Sequence, residues 1–297
     1  MMRIVVTGRE GQVAQSLAAL AFEHDVEVVL CGRPELDLAD ARSIYPALAA
    51  LKPDAIVSAA AYTAVDKAES ERELAFSVNA VGAGAVAAAG KQIGVPVLHL
   101  STDYVFDGSK SGAYVETDRT GPRSVYGASK LEGEKRVTAE ISDHAIFRTA
   151  WVYSAYGHNF LKTMLRLGET RDTVSVVADQ WGCPTSAEDI AAAIIVASKR
   201  IVSDSDPRLR GIFHLTGSGE ASWADFAEHI FACAGRFGRH PVAVNRITTA
   251  DYPTPAKRPA NSRLSGRKLE EIYGITLPHW QASTEKAVRA LLASQGS

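Results

Sequence analysis

"RIVVTGREGQVAQSL", residues 3–17, decides the architecture. Ile4–Thr7 is a short apolar run that ends at a glycine, as a buried parallel strand does. Val13, Leu17, Leu20 and Ala21 then recur at helical spacing. Gly8 and Gly11 stand between strand and helix in a GxxG turn, with Ala14 where a third glycine often sits. Glycine permits the tight turn and the close backbone approach that a pyrophosphate requires. The helix that follows offers unpaired N–H groups and a positive dipole end. Gly8, Gly11, Gln12 and Val13 are therefore candidate cofactor residues.

Working outward, Val26–Leu30 and Ala55–Ser58 are further apolar strands, and Ile44, Leu48 and Leu51 mark a helix between them. Pro96–Leu100 and Ala145–Arg148 read as a fourth and a fifth strand. Strands alternating with helices at this spacing predict βαβ units and a parallel sheet covered on both faces. The expected fold is a doubly wound α/β Rossmann domain over 1–150, followed by a smaller substrate-binding domain, mainly 151–297. Residues 178–200 are expected to pack back onto the first domain. In the second part, Thr173–Val177, Ser186–Ser198 and Gly211–Leu215 continue as strand, helix and strand. Ser222–Ala234 is a helix with Ser222 as N-cap, and 278–295 is an amphipathic helix. "GAGAVAAAG" at 82–90 is a second glycine-rich stretch, but small residues inside a helix serve close approach to the sheet rather than phosphate.

The 297 residues carry a net charge of −2 with dispersed basic residues, which argues against nucleic acid or an anionic membrane as partner. Cys31, Cys183 and Cys233 are far apart and odd in number, which fits small core residues of a reduced, cytoplasmic protein. No uninterrupted apolar run reaches 18 residues, so no membrane span is expected. The eight histidines show no metal-ligand spacing, and no metal is expected.

"SVYGASKLEGEK" at 124–135 places Tyr126 and Lys130 one turn apart on one helical face. A free phenol, with a pKa near ~10, exchanges protons poorly at neutral pH. A nearby ammonium favours the phenolate, which suits a phenol for general acid–base work. "LSTDYVFDG" at 100–108 follows the fourth strand, where open α/β sheets bind ligands. Thr102 or Ser101 there supplies a hydroxyl for a carbonyl oxygen. The second strand ends without an acid to meet a ribose 2′-hydroxyl, and Arg33 follows at once, with Arg9 in the glycine turn. A guanidinium suits a 2′-phosphate, so NADPH is the expected cofactor, with NADH as the alternative. Asp37 and Leu38 are placed near the adenine.

The glycine turn, the Ser/Thr after the fourth strand and the YxxxK helix, in this register, resemble the extended short-chain dehydrogenase/reductases. "AAAYTAVDKAE" at 59–69, "VNAVG" at 78–82, "RTAWVYS" at 148–154, "HNFLKTML" at 158–165, "ADQWGCPTSAEDIA" at 178–191 and "RPANSRL" at 258–264 resemble one branch more closely, the dTDP-4-dehydrorhamnose reductases. That resemblance implies reduction of a 4-keto-6-deoxy sugar on a nucleotide, with Thr102, Tyr126 and Lys130 as the catalytic set. It implies Ala59, Ala60, Ala61 and Tyr62 at the cofactor. Asp103, Val105 and Trp151 are placed at the sugar, and Trp181 and Trp223 are further stacking candidates. Arg258 and Arg263 are candidates for the diphosphate, and Asn159 and Gln180 for polar contacts. The implied partner is a nucleotide-sugar, and a homodimer is allowed.

Dehydratases of the superfamily follow the threonine with Asp-Glu, whereas here Tyr104 follows Asp103, which favours simple ketone reduction. Some members bind magnesium through glutamates at a dimer contact. Glu188 matches one such position, but Gln15 and Ser16 stand where the first helix would supply the other, which counts against that metal. An epimerase of the same superfamily, or a regulatory subunit resembling that of methionine adenosyltransferase, stays open as an alternative.

Overall fold

The computed structural model describes residues 1–293. Six parallel strands form the central sheet: β1 (Met2–Thr7), β2 (Val26–Cys31), β3 (Ala55–Ser58), β4 (Val97–Thr102), β5 (His144–Thr149) and β7 (Gly211–His214), in the order β7-β5-β4-β3-β1-β2. A shorter parallel pair, β6 (Thr173–Val177) with β8 (Ala243–Ile247), belongs to the second half of the chain. Strands β3, β4 and β5 are buried along their whole length. Their sequences are accordingly nearly continuous apolar runs rather than alternations. The strand order reverses at β1, which is where such sheets open a crevice at their C-terminal edge.

The side chains of each strand alternate between two cores. Ile4, Val6, Leu98 and Phe147 face α1 (Gln12–Leu20) and α6 (Ala187–Ser203). Val5, Ile56, Val97 and Ile146 face α2 (Ala41–Ala50), α3 (Arg72–Ile93) and α4 (Val125–Glu140). Small residues set the spacing on that second face. A Cβ on Gly90 would overlap the Val97 side chain, and one on Gly82 would overlap Leu38. This is the packing role expected of the 82–90 stretch. Helix α3 is long and apolar enough to cross a membrane by composition, yet just over half of it is buried inside the protein. No 18-residue apolar run marks it in the sequence, because Ser77 and Asn79 interrupt it. It is wound as a π-helix over Ser77–Gly82.

A third core gathers Tyr153, Leu161, Met164, Phe226, Ile230, Trp280 and Val288. It joins α5 (Phe160–Leu167), α7 (Trp223–Gly235) and α9 (Trp280–Ala293). Ser222 caps α7 as expected, with Asp225 completing a reciprocal capping box. Helix α8 (Arg267–Tyr273) brings Leu269 and Tyr273 to the first core. The C-terminal helix expected over 278–295 begins at Trp280, and residues 294 and 295 lie outside the described residues. All three cysteines are buried and unpaired.

Candidate active site

The glycine turn leaves β1 beside the ends of its two neighbours. Gly8 has φ +95° and donates its N–H to Cys31 O at 2.7 Å. A Cβ there would lie 3.2 Å from the Ala60 Cβ, so a side chain would both strain the backbone and crowd the segment after β3. Gly11 is the N-cap of α1, with no side-chain cap and open space where a Cβ would stand. The first-turn amides of α1 are thus left for an incoming acceptor. The Thr7 hydroxyl accepts from the N–H groups of Ala59 (3.0 Å) and Ala60 (3.1 Å) and ties β1 to the turn after β3. Asn79 holds the rest of that turn. Its amide bonds Tyr62 N and O and the Ser129 hydroxyl on α4 at 2.8–3.0 Å.

Arg33 is exposed, while Arg9 is tied down, donating to Arg33 O at 3.1 Å and pairing with Glu35 at 2.7 Å. Asp37 braces the backbone of Ala39, and Leu38 is buried beneath Gly82. The Gln12 side chain is engaged elsewhere: its Oε1 accepts from Ser154 (2.8 Å) and Asn159 (2.9 Å). Asn159 also caps α5, so both amides join the glycine turn to the second half of the chain.

Thr102 ends β4, and Tyr126 and Lys130 lie on α4. Ser124 caps that helix by accepting from Gly127 N. Gly127 and Gly133 let α4 lie against Tyr104 O and Asn79 O, where any Cβ would overlap. Lys130 is 3% exposed and donates from Nζ to Leu100 O at 2.7 Å. Thr102 donates to Asp103 Oδ1 at 2.9 Å and accepts from Tyr104 N at 3.3 Å. Tyr126 is half-buried and meets the Tyr104 ring edge-on, centroids 5.5 Å apart.

Burial pushes the Tyr126 phenol up to about 12, with the Thr102 hydroxyl acting the other way and the Asp103 charge adding to the rise. Burial pushes Lys130 down to about 8, with the Glu134 charge opposing. The depressed phenol expected from YxxxK is therefore not what the protein alone provides. Desolvation outweighs the Thr102 hydrogen bond, and Tyr126 stays protonated at neutral pH. That is the form able to give a proton to a carbonyl.

Three residues to which sequence reasoning gave no such role stand directly behind Lys130. Glu134, one turn further along α4, accepts from Arg148 Nε (2.9 Å) and Nη2 (2.7 Å) and from the Ser101 hydroxyl. All three are almost fully buried. The one legible signal was spacing, since Glu134 continues the Tyr126–Lys130 face by four residues.

The candidate sugar residues are placed unequally. Asp103 is buried next to Thr102, and Val105 is fully buried with Phe106, Ala150 and Leu264. Trp151 has φ +50°, stacks on Trp223 at 3.6 Å and leans on Gly182, where a Cβ would overlap its ring. Trp181 is 38% exposed. Arg258 pairs with Asp66 at 3.1 Å and has a buried Nε without a partner. Arg263 is instead spent on Asn261, Glu220 and Ser111 O, pinning the 258–264 loop. Gln180 is buried and bonds Thr249. Glu188 pairs with Lys286, and Ser16 bonds Gln12 O inside α1. Among the described residues, no three His, Cys, Asp or Glu gather in a way that would hold a metal ion.

Residues 2–293 match the model of one family, described as the RmlD substrate binding domain. The chain belongs to that family. Its RmlD-type relatives are near in length and sequence. It is 55% identical to the dTDP-4-dehydrorhamnose reductase of Sinorhizobium fredii, covering 98% of each chain. It is 40% identical to the reductase of that name from Escherichia coli, covering 99% of each. Among solved structures, a dTDP-4-dehydrorhamnose reductase from Clostridium acetobutylicum superposes with a TM-score of 0.91 at 37% identity, over 98% of this chain and 99% of that one. The Bacillus anthracis reductase, solved in complex with NADP, gives 0.89 at 34% identity, over 98% and 100%. The Thermus thermophilus UDP-glucose 4-epimerase, at 20% identity and a TM-score of 0.79 over 98% and 99%, shares the RmlD-family fold.

Proposed function

We propose that the chain reduces the C4 ketone of dTDP-4-dehydro-L-rhamnose to give dTDP-L-rhamnose, with NADPH as the reductant. The observation that supports the reading is that Tyr126 and a buried Lys130 lie one turn apart on α4, with Lys130 bonded to Leu100 O and the Thr102 hydroxyl two residues further along β4. The family and its near full-length reductase relatives supply the substrate.

The glycine cradle fits a dinucleotide. Gly8 and Gly11 leave room that a Cβ would fill or strain, and the uncapped α1 amides face it. Gly8, Gly11 and the α1 backbone from Gln12 to Val13 would hold the pyrophosphate. Ala59–Tyr62 would line its far side, and exposed Arg33 would meet the 2′-phosphate. NADPH, when bound, supplies the hydride. Tyr126 gives its proton to the ketone oxygen as C4 is reduced, which closes the balance at one hydride and one proton. The Thr102 hydroxyl orients that oxygen, and Lys130 places positive charge where the phenol becomes negative.

The test is loss of reduced nicotinamide absorbance with dTDP-4-dehydro-L-rhamnose as sole acceptor. Turnover is expected with the wild type. In Tyr126→Phe, kcat should fall by about 10²–10⁴-fold with NADPH still bound. Tight NADPH binding without turnover of this or any related nucleotide-sugar would replace the reading with a regulatory one.

A further inference from the structure

Successive residues of β4 bond successive turns of α4. The Lys130 Nζ bonds Leu100 O at 2.7 Å, and the next residue of β4, Ser101, bonds Glu134 on the same helix face as Lys130. Thr102 follows immediately. Ser101 is in register with Arg148 on β5, so both reach the same carboxylate from adjacent strands. Arg148 grips Glu134 with two nitrogens, lies over the Phe106 ring at 5.0 Å and leaves Nη1 buried without a partner. An ion pair this deep is a costly way to fasten a helix, because apolar side chains would do so as well or better.

We propose that Glu134, clamped by Arg148 and Ser101, is a positioning residue that holds Lys130 in place and in its charged form behind Tyr126 and Thr102. This rests on the reductase reading and deepens it.

The groups around Lys130 leave the work to Glu134. On its own helix are Tyr126, which is neutral, and Glu134. From β4 comes His99, kept neutral by burial, with the Lys130 charge adding to the effect, and just beyond β4 lies Asp103. From β5 comes the positive Arg148. From α3 comes the uncharged Asn79. The carboxylate that opposes the desolvation of Lys130 is that of Glu134. Removing its charge lets Lys130 lose its proton at lower pH.

Two readouts test this. Side-chain NMR of the Lys130 ε-methylene follows its titration directly, whether or not the sugar is correct. The pH profile of kcat follows the consequence. In Glu134→Gln the Lys130 titration and the alkaline limb of kcat should both move to lower pH by about one unit or more. In Ser101→Ala, which keeps both charges and removes one bond of the clamp, both should move by less than in Glu134→Gln. A uniform fall in kcat with an unmoved titration would overturn the inference and leave Glu134 a packing residue. So would an equal shift in Ser101→Ala. If Glu134→Gln fails to fold with Arg148 left unpaired, Glu134→Gln with Arg148→Met removes both charges and carries the same readouts. Failure of the wild type to reduce the sugar, with the NMR shift present, would sink the functional reading and not this one.

Discussion

Asp103 has almost no exposed surface and stands beside Thr102. Burial raises its carboxyl from 3.8 to about 6, against hydrogen bonds from Ser262 and Thr102. The folded pKa lies above the unfolded one, so the carboxyl costs nothing below about pH 4, and its penalty grows until the pH passes the folded value. Asp103→Asn should therefore stabilise the fold by on the order of 3 kcal/mol near pH 7.5, and the gain should vanish near pH 4. Denaturant midpoints at the two pH values measure it, and a gain independent of pH would refute it. At this scale the sequence offered Thr102, Tyr126 and Lys130 as candidates, from register. Their protonation was not legible, because YxxxK shows the ammonium but not the depth of burial, and burial dominates. Glu134 and Arg148 were hidden for a related reason. They lie in different elements, and only the Ser101–Arg148 register brings them together.

Helix α4 shows what glycine does between elements. A glycine in a helix interior costs about 1 kcal/mol against alanine, so Gly133 looks replaceable. A Cβ at that position would overlap Asn79 O on α3, and overpacking costs about 1–3 kcal/mol. Gly133→Ala should thus lower stability by up to roughly 2 kcal/mol despite its better helix propensity, and should reduce kcat by shifting Lys130 away from Leu100. Thermal melting and steady-state kinetics measure both, and a stabilised variant would contradict this account. The strands and most helices were legible from apolar runs and helical spacing. The π-wound turn of α3 was not, since Ser77–Gly82 carries no local mark of it. Its purpose appears only in space, where Asn79 reaches both Tyr62 and Ser129.

At the scale of the molecule, the chain returns to its first half after leaving it. Helix α6 covers one face of the sheet, and β7 extends it beyond β5. Residues 1–150 expressed alone should therefore expose the face formed by Ile4, Val6, Leu98 and Phe147. Dye binding to apolar surface and loss of a cooperative unfolding transition would show it, while a stable, cooperative fragment would refute it. Sequence periodicity showed Gly211–Leu215 as a strand, but not that 211–214 would join the sheet of the first half. Nothing local states where a strand finds its neighbour. Where the two halves meet, Trp151 lies flat against Trp223. Indoles this close couple their electronic transitions, so the seam carries an optical signature of its own. Far- and near-ultraviolet dichroism would follow any rearrangement there as cofactor and sugar enter, with no dye or label attached.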